Sequence, residues 1–230
     1  MSLLSSAHML FGGASTLLSG LVGFWKMNGD ATDVLGVSNG TVNGSSWGGG
    51  KIGQGLALDG TAWVDVGTNA AIHPPLITVA GWFYFDATPA NGSRILNDWH
   101  QDGGHDRWIF YVAGGALLWY ARTNYAVIVS PSFGSFGGAI PLNTWVHLAG
   151  TFDGTTARAY RDGAEVASAS GAGNILHEGS MVVRFGRQGI GKDAGMDGTL
   201  DEVGMWSRAL LPGEVAELYN SGAGKSHPFS

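Results

Sequence analysis

Cysteine is absent from this 230-residue chain, so neither disulfides nor thiolate metal centres contribute to its stability or chemistry. Charge is scarce as well. Asp, Glu, Lys and Arg make up 13% of the residues, about half the usual share. What charge there is leans acidic, 18 Asp and Glu against 12 Lys and Arg for a net −6, which leaves no broad basic face for a nucleic-acid backbone. No uninterrupted apolar run reaches the ~20 residues of a membrane-spanning helix. The apolar N-terminal stretch MSLLSSAHMLFGGASTLLSGLVG is broken by His8, Ser and Gly. It has no Lys or Arg ahead of its apolar part, unlike a secretory signal.

Glycine and aromatic residues are abundant instead. Glycine fills 39 of 230 positions without a strict repeat, and aromatics reach 11% with nine Trp, which excludes both collagen and disorder and favours a turn-rich β protein with an ample core. Asp-Gly pairs begin at Asp59, Asp102, Asp153, Asp162 and Asp197, and Asn-Gly pairs at Asn28, Asn39, Asn43 and Asn91. Such pairs tolerate the positive φ of hairpin turns. Between them, strand-length runs rich in β-branched and aromatic residues cover 56–58, 62–66, 77–85, 94–97, 107–112, 116–122, 126–130, 144–152, 155–161, 165–169, 182–187 and 200–206. This spacing predicts a two-sheet antiparallel sandwich or jelly roll. The period then changes from two to 3.6. Pro212 takes the first helical position, Glu214 lies in the first turn, Val215, Leu218 and Tyr219 recur at helical spacing, and Gly222 supplies a stop. The expected organisation is an apolar arm over 1–17, one all-β domain over 18–222 and a tail over 223–230. Phe24, Trp25, Trp82, Trp145 and Trp206 lie inside strand patterns and are expected in the core.

The segments LVGFWKMNGDATDVLG, GGGKIGQGLALDGTAWVDVG, ITVAGWFYF, NTWVHLAGTFDGTTARAYRDGAEV and GTLDEVGMWSRALLPGEVAELYNSG, in that order, resemble the laminin-G-like members of the concanavalin A-like jelly rolls. The resemblance implies one concave and one convex sheet, adjacent N- and C-terminal strands, and a short helix docked after the last strand. One departure is Leu211, where such proteins usually offer a Ser or Thr cap, so this helix end is expected to fray. The resemblance also implies a structural calcium held by Asp30, Asp33 and Asp201, with carbonyls around Gly36 as further oxygen ligands; the alternative is that Asp30 and Asp33 shape an Asx-type turn. The same fold carries glycanases, whose two carboxyl groups come from alternate positions of one strand, roughly 5–10 Å apart. Here Glu165, Glu178, Glu202, Glu214 and Glu217 are the only glutamates, and none belongs to such an alternation. Asp201 and Glu202 are adjacent and are expected on opposite faces of their strand. With no Gly-x-Ser-x-Gly elbow or His-Glu-x-x-His helix either, a non-enzymatic role is expected.

The middle of the chain supplies the ligand-site candidates. RILNDWHQDGGHDRWIFYV is read as placing Asp98, Trp99, His100, Gln101, Asp102, His105, Asp106 and Arg107 in one turn region, with Trp108 opening the next strand. Trp119, Tyr120, Arg122, Asn124 and Tyr125 follow one hairpin later. Aromatic faces that stack on sugar C–H surfaces, beside short polar groups for the hydroxyls, fit a carbohydrate. The alternative is a polar hairpin whose Trp residues fold back over the sandwich edge. Asp98, His100, Asp102 and Gly103 begin like an EF-hand loop, but the twelfth position is Ile109 rather than Glu and no flanking helices are expected. Two functions follow: a lectin-like module for surface polysaccharide, or a structural display protein, for example on a bacteriophage virion, anchored to its assembly through residues 1–17. The resemblance extends to modules on bacteriophage surfaces, and an extracellular or virion-surface location suits either reading. A homo-oligomer is compatible with display, but the strand pattern specifies no symmetry.

Overall fold

In the computed structural model, which describes residues 15–100, 106–123, 128–129, 140–175, 181–188 and 195–230, the β-branched and aromatic runs become fifteen strands among the described residues. In chain order these are β1 (Leu21–Trp25), β2 (Thr41–Asn43), β3 (Ser46–Gly49), β4 (Gln54–Asp59), β5 (Trp63–Gly67), β6 (Ile77–Phe85), β7 (Arg94–His100) and β8 (Trp108–Ala113). They continue with β9 (Ala116–Arg122), β10 (Ile128–Val129), β11 (Trp145–Phe152), β12 (Thr156–Arg161), β13 (Ala164–Ser170), β14 (Met181–Phe185) and β15 (Asp197–Trp206), and a helix α1 (Pro212–Tyr219) follows. One sheet has the order β13-β12-β11-β6-β15-β4-β3, with β1 also on β15; the other runs β10-β9-β8-β7-β14-β5-β2. The result is the antiparallel jelly-roll sandwich, its first and last strands paired through Phe24↔Gly204 and Trp25↔Val203.

Strand β6 shows how pattern becomes layer. Ile77, Val79, Phe83 and Phe85 alternate into the core between the sheets, while Ala80 points the other way into a second apolar cluster. Trp82 on that same outer side stacks on Tyr219 of α1 at 5.7 Å and carries the Lys51 ammonium 4.4 Å from a ring centroid. Both faces of this strand are therefore covered, which is why its sequence reads as a continuous apolar run rather than an alternation. Tyr84 of this strand is half-buried, beside a half-buried Trp145.

The second cluster joins the outer face of the first sheet to both chain ends. Leu17, Phe24, Trp206, Val215, Leu218 and Phe229 are all buried in it. The Trp206 indole N–H donates to the Leu17 carbonyl at 2.7 Å, and Arg208 donates to the carbonyls of Ser19 and Thr16. The packed body thus reaches from residue 15 through the buried Phe229, beyond the expected limits of 18 and 222; residues 1–14 of the expected arm lie outside the described residues.

Helix α1 starts at Pro212 as its sequence predicts, but its first turn is held more firmly than a bare Leu211 suggests. Glu214 accepts two bonds from Arg208 at 2.6 and 2.7 Å, and its carboxylate also accepts from the Leu211 N–H at 2.8 Å. Fraying is opposed by this carboxylate, which satisfies a free donor from inside the helix. The stop falls at Asn220, in the left-handed region. Arg208 pulls the Glu214 carboxyl down to about 2. A depressed folded-state pKa stabilises above the unfolded value and the gain disappears as pH falls through the folded one. Glu214→Ala is expected to lose about 1–2 kcal/mol at pH 7 and little at pH 2, measured by urea unfolding.

Candidate functional site

The second sheet sorts its side chains by alternation. Trp108, Phe110 and Val112 of β8 and Leu117, Trp119 and Ala121 of β9 enter the inter-sheet core, so Ile109, Tyr111, Leu118, Tyr120 and Arg122 face outward. Register lines these up across strands. Asp65, Arg184, Asn97, Ile109 and Tyr120 form one outward row, and Arg94, Tyr111 and Leu118 the next. Arg94 reaches this face because of a β-bulge between Arg94 and Leu96. The extra residue turns both Ile95 and Leu96 to the core.

Arg94, Asp106, Ile109, Tyr111 and Tyr120 line a cleft of about 210 Å³ on this outward face. Arg94 Nε donates to Asp106 Oδ2 at 3.2 Å, and its guanidinium sits 5.6 Å from the Tyr111 ring centroid, within cation–π range. The other oxygen, Asp106 Oδ1, is buried and has no hydrogen-bond partner. Burial pushes the Asp106 carboxyl up, with Arg94 opposing it. Burial also pushes the Tyr120 phenol up, opposed chiefly by Arg122, so that hydroxyl stays a donor at any physiological pH. Two tyrosine rings, an apolar floor at Ile109, a cationic donor and an unpaired acceptor make a surface suited to a small ring with several hydroxyls.

The predicted site residues divide accordingly. Asp106 and Tyr120 line the cleft. Trp108 and Trp119 do not: both are wholly buried in the core, 6.3 Å apart, and the Trp119 N–H donates to the Thr151 carbonyl at 3.1 Å. Asp98 and Trp99 are in strand β7 rather than a turn. Asp98 is buried, with its Oδ2 3.1 Å from His73 Nδ1, while half-buried Trp99 lies 5.7 Å from the Arg184 guanidinium, itself paired with Asp65. Arg107 and Arg122 are buried neighbours across the strands, linked by Arg122 N–H to Arg107 carbonyl at 2.8 Å. Asp102, His105 and Tyr125 lie outside the described residues with Gln101, Gly103 and Asn124, as does the side chain of His100. Arg94, Ile109 and Tyr111 were not among the predicted residues. The signal for Ile109 and Tyr111 was alternation counted from a core Trp108.

The expected calcium ligands are not brought together. Both Asp33 oxygens are already occupied by backbone donors, Oδ1 by the N–H groups of Phe24 and Leu35, Oδ2 by those of Val37 and Ser38. This carboxylate organises a loop, and Asp30 caps the Asx-type turn at Thr32. Asp201 accepts from Ile52 and Glu202 N–H groups. Among the described residues no group of three or more His, Cys, Asp or Glu could hold a metal ion, so the donor set does not fit calcium there.

Asp201 and Glu202 also depart from strict alternation. A register shift between Asp201 and Gly204 opposite β6 adds a residue, with Glu202 at φ 49°, so Leu200 and Val203 both face the core and the two carboxyls turn away from it together. Glu202 is 4% exposed and both of its carboxyl oxygens are buried. Burial pushes Asp201 up to about 7 and Glu202 up to about 8, with Ser226 and Lys26 offsetting part of the effect at Glu202. This acidic pair is sealed inside the fold and is not set across an open cleft.

Among solved structures, domain 4 of AbnA, an extracellular arabinanase from Geobacillus stearothermophilus in complex with arabinotriose, is similar at 18% identity and TM-score 0.73, over 86% of this chain and 98% of that one. The binding domain of Paraclostridial Mosquitocidal Protein 1 is similar at 19% identity and TM-score 0.69, over 88% of this chain and 52% of that one. The binding domain of Botulinum Neurotoxin DC in complex with SialylT is similar at 12% identity and TM-score 0.63, over 88% and 51%. The chain thus spans nearly all of the first and about half of the two toxin domains. No curated protein sequence matches it. The family model of the concanavalin A-like lectin/glucanases superfamily matches residues 58–216.

Proposed function

The chain belongs to the concanavalin A-like lectin/glucanases superfamily, and from that premise we propose that it is a non-catalytic carbohydrate-binding module whose site is the outward face of β7, β8 and β9. The observation that carries the proposal is the cleft itself. Asp106 Oδ1 is an unpartnered acceptor beside Tyr111 and Tyr120, and a sugar hydroxyl would satisfy it while its C–H face covers a ring. A buried acceptor left without a partner costs about 1–3 kcal/mol, so a ligand that supplies the donor is favoured. Arg94 fixes Asp106 and is itself one of the residues that line the cleft. Support from relatives is of the same kind: the arabinanase domain is seen with arabinotriose and the neurotoxin domain with SialylT.

The glycan is to be found by array screening of the purified protein, and its affinity measured by calorimetry. Tyr111→Ala and Tyr120→Ala are each expected to weaken binding about tenfold, the worth of one stacked ring. Wild-type affinity in both variants, or no glycan bound by the wild type, would defeat the proposal.

A second reading, display on a virion or other assembly, is favoured by Leu18 and Leu211. Leu18 lies within the 16–19 segment whose carbonyls Arg208 bonds, the Leu211 N–H donates to the Glu214 carboxylate that Arg208 pairs with, and the two are 45% and 66% exposed. Exposed leucines where the apolar N-terminal run enters the fold suit an anchoring contact. The two readings are compatible, since the cleft is on the other sheet.

A further inference from the structure

Beside the residues that line the cleft, on the same face of the sheet, stands a charge that the glycan reading leaves unexplained. Arg122 is two residues along β9 from Tyr120, about 7 Å on the same outward face. It is 8% exposed, and its Nε and Nη1 have no hydrogen-bond partner. Across the strands its neighbour is Arg107, also buried. Like charges directly opposite one another in a sheet are destabilising, and burying a guanidinium without an anion costs more still.

Asp106 and Asp98 are each engaged through one carboxylate oxygen, the other having no hydrogen-bond partner. Asp106 Oδ2 is taken by Arg94, and Asp98 Oδ2 by His73. Arg122 nonetheless acts on the cleft electrostatically, since its charge opposes the upward shifts of both Asp106 and Tyr120. In a protein of net charge −6 with eight arginines, four of them, Arg94, Arg107, Arg122 and Arg184, stand on this one face. Arg94 pairs with Asp106 and Arg184 with Asp65.

We propose, resting on the carbohydrate reading, that the cleft is selective for an acidic glycan, with Arg122 as the counter-charge for an anionic substituent on the sugar that covers Tyr120. The planar guanidinium presents paired donors that match a carboxylate or a sulfate ester. Asp106 keeps that substituent at the Arg122 end by repulsion and takes a hydroxyl at the other. Neutral arabino-oligosaccharides would leave Arg122 uncompensated and bind less well.

The test uses pairs of oligosaccharides that differ only in charge. Uronate- and sialate-bearing glycans are titrated beside their carboxyl-reduced twins, and sulfated glycans beside their desulfated twins, in low and high salt. The wild type is expected to prefer the acidic member about tenfold or more, with the preference shrinking as salt is raised. Arg122→Met is expected to bind both members of a pair alike; thermal melting of the variant shows that it folds. If the wild type binds charged and uncharged twins equally, the acidic selectivity is overturned while the carbohydrate module stands. If Arg122→Met keeps the preference, Arg122 is not the counter-charge. If the wild type binds no glycan of either kind, both proposals fall together.

Discussion

Trp119→Ala is expected to destabilise the protein by about 4 kcal/mol, whereas Tyr120→Ala, one position along the same strand, should cost about 1 kcal/mol or less. The contrast follows from parity. Trp119 is wholly buried between the sheets, its ring 5.4 Å from Phe110 and 6.3 Å from Trp108, with its N–H on the Thr151 carbonyl. Gly150 of β11 lies flat against that indole, where a Cβ would approach ring carbons to 2.3 Å, so the opposite sheet is shaped to this one side chain. Removing it opens a large cavity and strands a buried carbonyl. Tyr120 points the other way, into the cleft, and its loss should be read in glycan affinity rather than in folding. Urea unfolding of the two variants checks this directly. Equal destabilisation would mean that β9 is not in the register described.

Glu202→Gln is expected to raise stability by about 2 kcal/mol at pH 8 and to change it little at pH 4. The folded protein holds Glu202 up at about 8, chiefly through burial, against 4.5 as its ordinary value. Below about 4.5 both states carry the proton and the shift has no effect. Between about 4.5 and 8 the unfolded chain releases it first, so stability falls as pH rises through that window. An amide of the same shape has no charge to desolvate, and the slope it contributes should vanish. Asp201, raised to about 7 from 3.8 for the same reason, keeps a smaller slope of the same sign in the variant. Measured unfolding free energies from pH 4 to 9 for both proteins test this. A variant that loses stability at pH 8, or whose profile parallels the wild type, would show that Glu202 is ionised in the fold without penalty.

The architecture was legible in the sequence because its strands repeat simple patterns. Asp-Gly and Asn-Gly pairs mark many of the turns, and the change of period at Pro212 marks the helix. The site was harder to read, and the reason is specific. Two β-bulges, at Ile95–Leu96 and at Asp201–Glu202, each turn two successive residues to one face. Counting by twos through the first puts Arg94 in the core, and counting through the second puts Asp201 and Glu202 on opposite sides. Neither bulge has a glycine or proline at its centre to announce it. Composition also misled: Trp108 and Trp119 look like sugar platforms because tryptophan often is one, yet their neighbours Ile109 and Tyr120 hold the outward positions. Asp33 looked like a metal ligand for a similar reason. A carboxylate that accepts four backbone N–H groups has the same sequence as one that binds calcium.

The most direct test of the central claim is to map the glycan on the protein by NMR chemical-shift perturbation, using the tightest binder from the array. A module that binds on the outward face of β7, β8 and β9 should shift the amides and side chains of Arg94, Ile109, Tyr111, Tyr120 and Arg122. The outer face of the first sheet, around Trp82 and Tyr219, should stay unmoved. Perturbations gathered at Trp82 and Tyr219, or at the chain ends around Leu17 and Phe229, with β8 and β9 silent, would contradict the account.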